Sequence, residues 1–282
     1  VNTFGLSTQI VSTLIPNQRL VTGGEFYYDI LESQTIKTDL KTGTEQIDQL
    51  KGRFIDDSQF WDANLFIQDE IELHDRVELT LGSRFTFFHT QADLSIREPS
   101  FAEYNKSGNA LTGHSGLVVG LADQLNFVAN VATSFRSPSL NDTTAVEVTN
   151  EGIDAPNPDI DSEKGWTVES GFKARYPRII GSITLFHSRI NDLVTRIPVQ
   201  EAYSDQMLPQ LYKNIQTTNP DIDIFVFDNV DEVQIQGIEV TATIPIHSGC
   251  SIYGNSTLTV SYTHLRAHET LRYLVCRLLL EK

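Results

Sequence analysis

Apolar and polar side chains alternate at every second position along much of this chain, the mark of a β-strand with one oily and one wet face. Val77, Leu79, Leu81, Ser83, Phe85 and Phe87 point one way, and Arg76, Glu78, Thr80, Gly82, Arg84 and Thr86 the other. The preceding segment sets Trp61, Ala63, Leu65, Ile67, Ile71 and Leu73 against Asp62, Asn64, Gln68, Glu70 and Glu72. About ten such segments are expected, near 1–14, 19–33, 60–73, 76–92, 112–122, 125–136, 163–175, 178–190, 232–246 and 250–260. Their connections alternate between tight turns and long loops, the latter near 34–59, 93–111, 137–162 and 191–231. An up-and-down barrel in a membrane needs that rhythm, with short turns on one rim and long loops on the other.

Composition narrows this reading. The 282 residues include nine Tyr, fifteen Phe and a single Met, a strand-favouring mix. A formal charge of -16 argues against nucleic acid as a partner and suits loops that face water. Mean hydropathy is only -0.20, which is compatible with strands that are apolar on one side alone. No run approaches the 18 or more apolar residues of a helical span, and no signal peptide is visible at Val1-Asn2-Thr3-Phe4-Gly5. Cys250 and Cys276 are too few for a disulfide framework or a thiolate metal cage.

The stretch 125–176 organises the rest, as strand, long loop and strand. Phe135-Arg136-Ser137-Pro138 closes the first strand, and Asn157-Pro158-Asp159-Ile160 precedes Glu163 at the start of the second, which carries Glu169-Ser170-Gly171. This arrangement resembles the FRAP and NPNL signature of TonB-dependent outer-membrane receptors. Leu65-Phe66-Ile67-Gln68-Asp69-Glu70 followed by Leu79-Thr80-Leu81-Gly82-Ser83-Arg84 resembles another hairpin of that family. Val233-Gln234-Ile235-Gln236-Gly237-Ile238-Glu239 resembles its recurrent strand, in which Gly237 would admit a close neighbour and Glu239 would face the lumen.

The resemblance implies an all-β, antiparallel transmembrane barrel in the bacterial outer membrane, of which residues 1–259 form about ten strands of a larger, 22-stranded whole. No plug domain or TonB-contacting box is found in the sequence, so a fragment with edges that pair elsewhere is expected. The implied partners are TonB, acting through a plug, outer-membrane lipid, and a small-molecule ligand such as an iron chelate. Arg84, Arg136 and Lys173 on lumen-facing positions, with the loop aromatics Tyr104, Tyr203 and Tyr212, are the candidates for holding an anionic ferric siderophore. Haem receptors of the family usually carry a histidine between the two proline motifs; residues 137–156 contain none. Cobalamin and glycans remain open. A passive porin shares every periodicity argument, whereas a soluble β-sandwich would bury the Val77 to Phe87 face against a second sheet.

From Val260 onward the alternation gives way to a Leu-rich run with four basic and two acidic residues. Residues 260–282 resemble a translated sequencing-adapter end and are set apart as a non-native tail. Within it His264 and His268 stand four apart, but no second histidine completes a His-Glu-x-x-His motif. His74, His89, His114, His187 and His247 are scattered and read as solvated side chains. Asp56-Asp57, Asp221 with Asp223, and Asp228 with Asp231 and Glu232 fall in loops, where solvated acids are expected over a calcium site. No nucleophile triad, phosphate loop or metal cluster suggests an enzyme, and no cofactor is expected.

Overall fold

The computed structural model describes residues 1–33, 36–47, 54–96, 103–149, 151–202, 212–213, 216–217, 220–247 and 250–264. In chain order the strands are β1 (Asn2–Ser12), β2 (Gln18–Leu31), β3 (Ile36–Thr38), β4 (Glu45–Ile47), β5 (Ser58–His74), β6 (Val77–Asp93), β7 (Glu103–Ala122) and β8 (Leu125–Arg136). A short helix α1 (Leu140–Thr144) and the small strands β9 (Glu147–Val148) and β10 (Ile153–Ala155) follow. Then come β11 (Glu163–Tyr176), β12 (Ile179–Pro198), α2 (Val199–Ala202), β13 (Ile224–His247) and β14 (Cys250–His264).

The ten long strands form one antiparallel wall in the order β1-β2-β5-β6-β7-β8-β11-β12-β13, with β14 on the lower part of β13. The upper part of the same β13 edge takes β10 in parallel, and β9 pairs with β10. Strands adjacent in the chain are thus adjacent in space, apart from β3, β4, β9 and β10 in the long connections, and successive connections fall on opposite rims. Because every interior strand is bonded on both sides, its backbone polar groups are satisfied without water, the condition for crossing a bilayer. Among the described residues no helix is long and apolar enough to cross a membrane.

Register puts the oily positions of neighbouring strands in rows across one face. Phe127, Phe172, Ile183 and Val240 make one row, and Ala129, Ser170, Leu185, Ile238 and Leu258 the next. Leu65, Ile67, Leu81, Phe85, Val131, Val168, Phe172 and Leu185 are all exposed, so none of the described residues packs against this face. The soluble sandwich required a second sheet there; among the described residues the only other sheet is the β3-β4 hairpin.

Three strands run further than their alternation predicts. β7 begins at Glu103 instead of near 112, β12 continues to Pro198, and β13 starts at Ile224. These extensions lie on the long-loop rim. There one face meets water and the other meets loops: Phe88, Thr90, Ala92 and Tyr104 are buried. The period-2 contrast therefore lapses although the ladder continues. β14 likewise reaches His264, past the point where the apolar rhythm stops. Asp69 also breaks the pattern: it lies on the apolar face between Leu20 and Leu81, with Oδ1 enclosed and unpartnered among the described residues.

Candidate functional site

Opposite the apolar rows lies a polar face. At its middle height the Arg84 guanidinium donates to Glu25 at 2.6 Å and to Asn64 Oδ1 at 3.3 Å. The same Asn64 oxygen accepts from the Thr86 hydroxyl at 2.7 Å, and the Asn64 amide donates to Asp62. Three strands, β2, β5 and β6, thus hold Arg84 in place. Beside it a depression of about 460 Å³ is lined by Gln68, Thr112, His114 and Asn130 among others.

Glu169 and Lys173 on β11 share this face with Asn130 and Asn126 of β8, and Glu239 on β13 reaches it through Thr184 of β12. Gly171 and Gly237 explain why the motifs need glycine. A Cβ on Gly237 would meet the Leu258 carbonyl and lie 2.7 Å from the Phe186 ring, while one on Gly171 would strike the Ile183 carbonyl.

On the long-loop rim Arg136 is clamped between two acids, Asp142 at 2.7 Å and Glu163 at 2.5 Å. Asp142 is oriented by a reciprocal cap with Ser139 at the start of α1, and Glu163 also accepts the Val194 amide at 2.9 Å. Phe135 leans on Phe88 at 5.7 Å, and Pro138 is fully buried. At the far end of the loop Asn157 donates to the Phe227 carbonyl at 2.9 Å and turns its own chain by accepting from the Asp159 amide. Pro158 is half-buried, and Ile160 is wholly buried, its carbonyl taking a bond from Lys106. The two proline motifs are thus the two feet of the 137–162 loop.

That loop joins two apolar knots. Leu140 packs with Ile55, Ala92, Leu94 and Tyr104, whereas Ala155 packs with Val199, Tyr212, Ile224 and Val226. Tyr104 and Tyr212, candidates for ligand contact from the sequence, are buried here at 5 % and 0 % exposure. Desolvation pushes the Tyr104 phenol up to about 12, against a lesser pull from its bond to Thr143. The Tyr212 hydroxyl donates to the Pro156 carbonyl. Both rings pack the crown instead of lining an open surface. Tyr203 lies outside the described residues.

Arg196, which the sequence reading left inside a loop, is the counterpart of Arg136. It donates to Asp154 at 2.6 Å, Glu151 at 2.7 Å and Thr149 at 3.3 Å, and its guanidinium sits 3.7 Å over the Phe225 ring. Asn229 adds bonds to Asp161 and Asp192. No spacing signals these contacts, since the partners are 29 to 68 residues apart. Two of the acids expected in loops are engaged with the protein: Asp56 accepts from the Ser33 amide, and Glu232, which lies on β13, pairs with Arg189.

Residues 2–274 match the family model described as TonB dependent receptor-like, beta-barrel. No curated protein matches the chain. Among solved structures it is similar to the copper transporter OprC, with a TM-score of 0.70 and 15% identity over 93% of this chain and 37% of that one. The siderophore receptor PirA from Pseudomonas aeruginosa gives 0.64 and 16% over 93% and 43%. The Serratia marcescens haemophore receptor HasR, solved with its haemophore HasA and haem, gives 0.63 and 15% over 93% and 41%. The chain therefore spans well under half the length of these structures, and the likeness speaks for the fold. With apolar rows outside, a polar face opposite, the two proline motifs at the feet of one long loop and a family match across nearly its whole length, the chain belongs to the TonB-dependent receptor family, as part of its β-barrel.

Proposed function

We propose that the intact protein is an outer-membrane active transporter, which captures a scarce solute outside the cell and admits it when TonB draws on a plug inside the barrel. The observation that carries this reading is the one-layered wall whose apolar face, among the described residues, meets no protein and whose long connections share one rim. Receptors of this family reside in the outer membrane of Gram-negative bacteria, and outer-membrane lipid is the natural partner for such a face.

For cargo we propose a ferric siderophore or a related iron chelate. Structures of the same fold are named for siderophore, haem, iron and copper transport. Arg84 and Arg136 would meet an anionic chelate with guanidinium N–H groups left over from Glu25 and from Asp142 and Glu163, the carboxylates they already hold. Lys173 has no such partner among the described residues and is the freer cation. Iron-limited cells lacking their own receptor, complemented with the full-length protein, should take up a radio-iron siderophore only while TonB is present. Uptake that survives deletion of TonB would make the protein a passive porin; no uptake of any iron chelate would remove the cargo.

A further inference from the structure

The outward face changes character with height. Trp166 and Arg189 each stand about ten residues along their strands from the short turn after Tyr176, or about 25 Å at 3.3 Å per residue and a tilt near 40°. That is the full height of an apolar band. Directly below them runs the row Val131, Val168, His187, Gln236 and Val260, and beneath it Leu185 with Ile238, then Ile183 with Val240; at their own level the row reads Thr133, Trp166, Arg189, Gln234 and Tyr262. One row higher stand Lys164, Asn191 and Glu232.

Two cations meet in this stretch. Lys164 pairs with Asn191, and Arg189 pairs with Trp166, so the two are diagonal neighbours on one face, about 7–8 Å apart between Cα atoms. Like charges so placed repel unless an anion lies between them. Glu232 answers Arg189 from the far strand, and Gln234 shares that carboxylate. Lys164 is exposed and has no partner among the described residues. The Arg189 Nε is enclosed and unpartnered among the same residues. Trp166 and His187 pack at 5.2 Å with their rings tilted by 54°, giving the site an aromatic floor at the boundary of oil and water.

The opposite flank is a built-in contrast. Phe26, Trp61, Phe87 and His89 form a similar aromatic cluster at the same height, with ring separations of 5.3 to 6.1 Å, but their neighbours across the ladder are Ser107 and Asn109. Aromatics thus mark the boundary on both flanks, whereas among the described residues cations stand beside them on β11 and β12 alone.

We propose that Lys164, Trp166, His187 and Arg189 bind the phosphate of a phosphorylated lipid headgroup in the leaflet on the long-loop side. In a chain of formal charge -16, an outward Lys164 without a counter-ion among the described residues, beside an Arg189 whose Nε is left open by its bridge to Glu232, is complementary to that anion. The inference rests on the reading that this face meets lipid.

The test uses the detergent-solubilised full-length receptor and native mass spectrometry, with bis-phosphorylated lipid A and its phosphate-free form as probes. The receptor should retain the phosphorylated form in preference, and Lys164→Glu should weaken that retention about tenfold. Arg178→Glu, at the turn on the opposite rim, should leave it unchanged. Equal retention of both lipids, or no effect of Lys164→Glu, would overturn the site. Full displacement by inorganic phosphate would reassign it to a soluble anion and overturn it as a lipid site. A receptor that stays in aqueous buffer when membranes are pelleted would sink the barrel reading itself, a failure distinct from the other three.

Discussion

The wall and the crown of this molecule are held by different physics. In the wall each successive pair of residues repeats its neighbour's contribution: backbone bonds to the flanking strands, one side chain to oil and one to the polar face. Removing any single side chain leaves the ladder intact. In the crown a few unlike groups carry everything: Arg136 between Asp142 and Glu163, Arg196 over Phe225, and two small apolar knots. The wall is redundant, and the crown is specific. The shape of the mouth therefore depends on contacts that any one substitution can break, while the barrel that bears it tolerates change except on its oily face.

The sharpest way to break this contrast is to attack the wall where redundancy does not help. Leu185→Arg places a charge on an outward position, 57 % exposed, within the apolar band and between Ser170 and Ile238. A loss of about 2–4 kcal/mol is expected in a lipid-bilayer unfolding titration. Normal assembly and unchanged stability would contradict the facing assigned to every row.

Next comes Arg136→Ala, which strips the counter-charge from two largely buried carboxylates. The crown should lose about 1.5–3 kcal/mol, read as faster hydrogen exchange across 137–145 and around Val194, with exchange in β5 and β6 unchanged. If exchange rises equally in the wall, the two regions are one cooperative unit.

A milder probe is Tyr212→Phe, which deletes the bond to Pro156 and leaves the ring in its knot. About 1 kcal/mol is expected, confined to β10 and the β12-β13 tip by exchange.

The smallest effect at neutral pH belongs to Tyr104. Its folded pKa lies near 12, above about 10 for an unfolded tyrosine, so folding favours the neutral phenol. The contribution is complete below pH 10 and is lost as pH rises towards 12. The crown should loosen in that window before the wall does, and Tyr104→Phe should abolish the difference as followed by exchange around α1.

The same contrast governs what could be read without coordinates. The row from Val77 to Phe87 and the hairpin partner at Trp61 were legible because lipid on one side and polar groups on the other impose a period of two. The extensions of β7, β12 and β13 were not, because above the membrane one face meets water and the other meets loops. Phe135, Pro138, Asn157 and Pro158 were legible as landmarks, since proline ends a ladder wherever it stands. Lys106, which donates to the Ile160 carbonyl, and Phe227, whose carbonyl accepts from Asn157, were not, because those contacts join segments 54 and 70 residues apart in the chain.

The order of strands, their facing and the rim that carries the long loops were determined by the sequence itself, since each follows from local alternation and loop length. Tertiary structure alone decided that Arg136 and Arg84 arrive already paired, that Tyr104 and Tyr212 lie buried, and that Lys164 stands beside Arg189. Periodicity records which solvent a side chain meets, and a pairing across 27 or 59 residues leaves no trace in it.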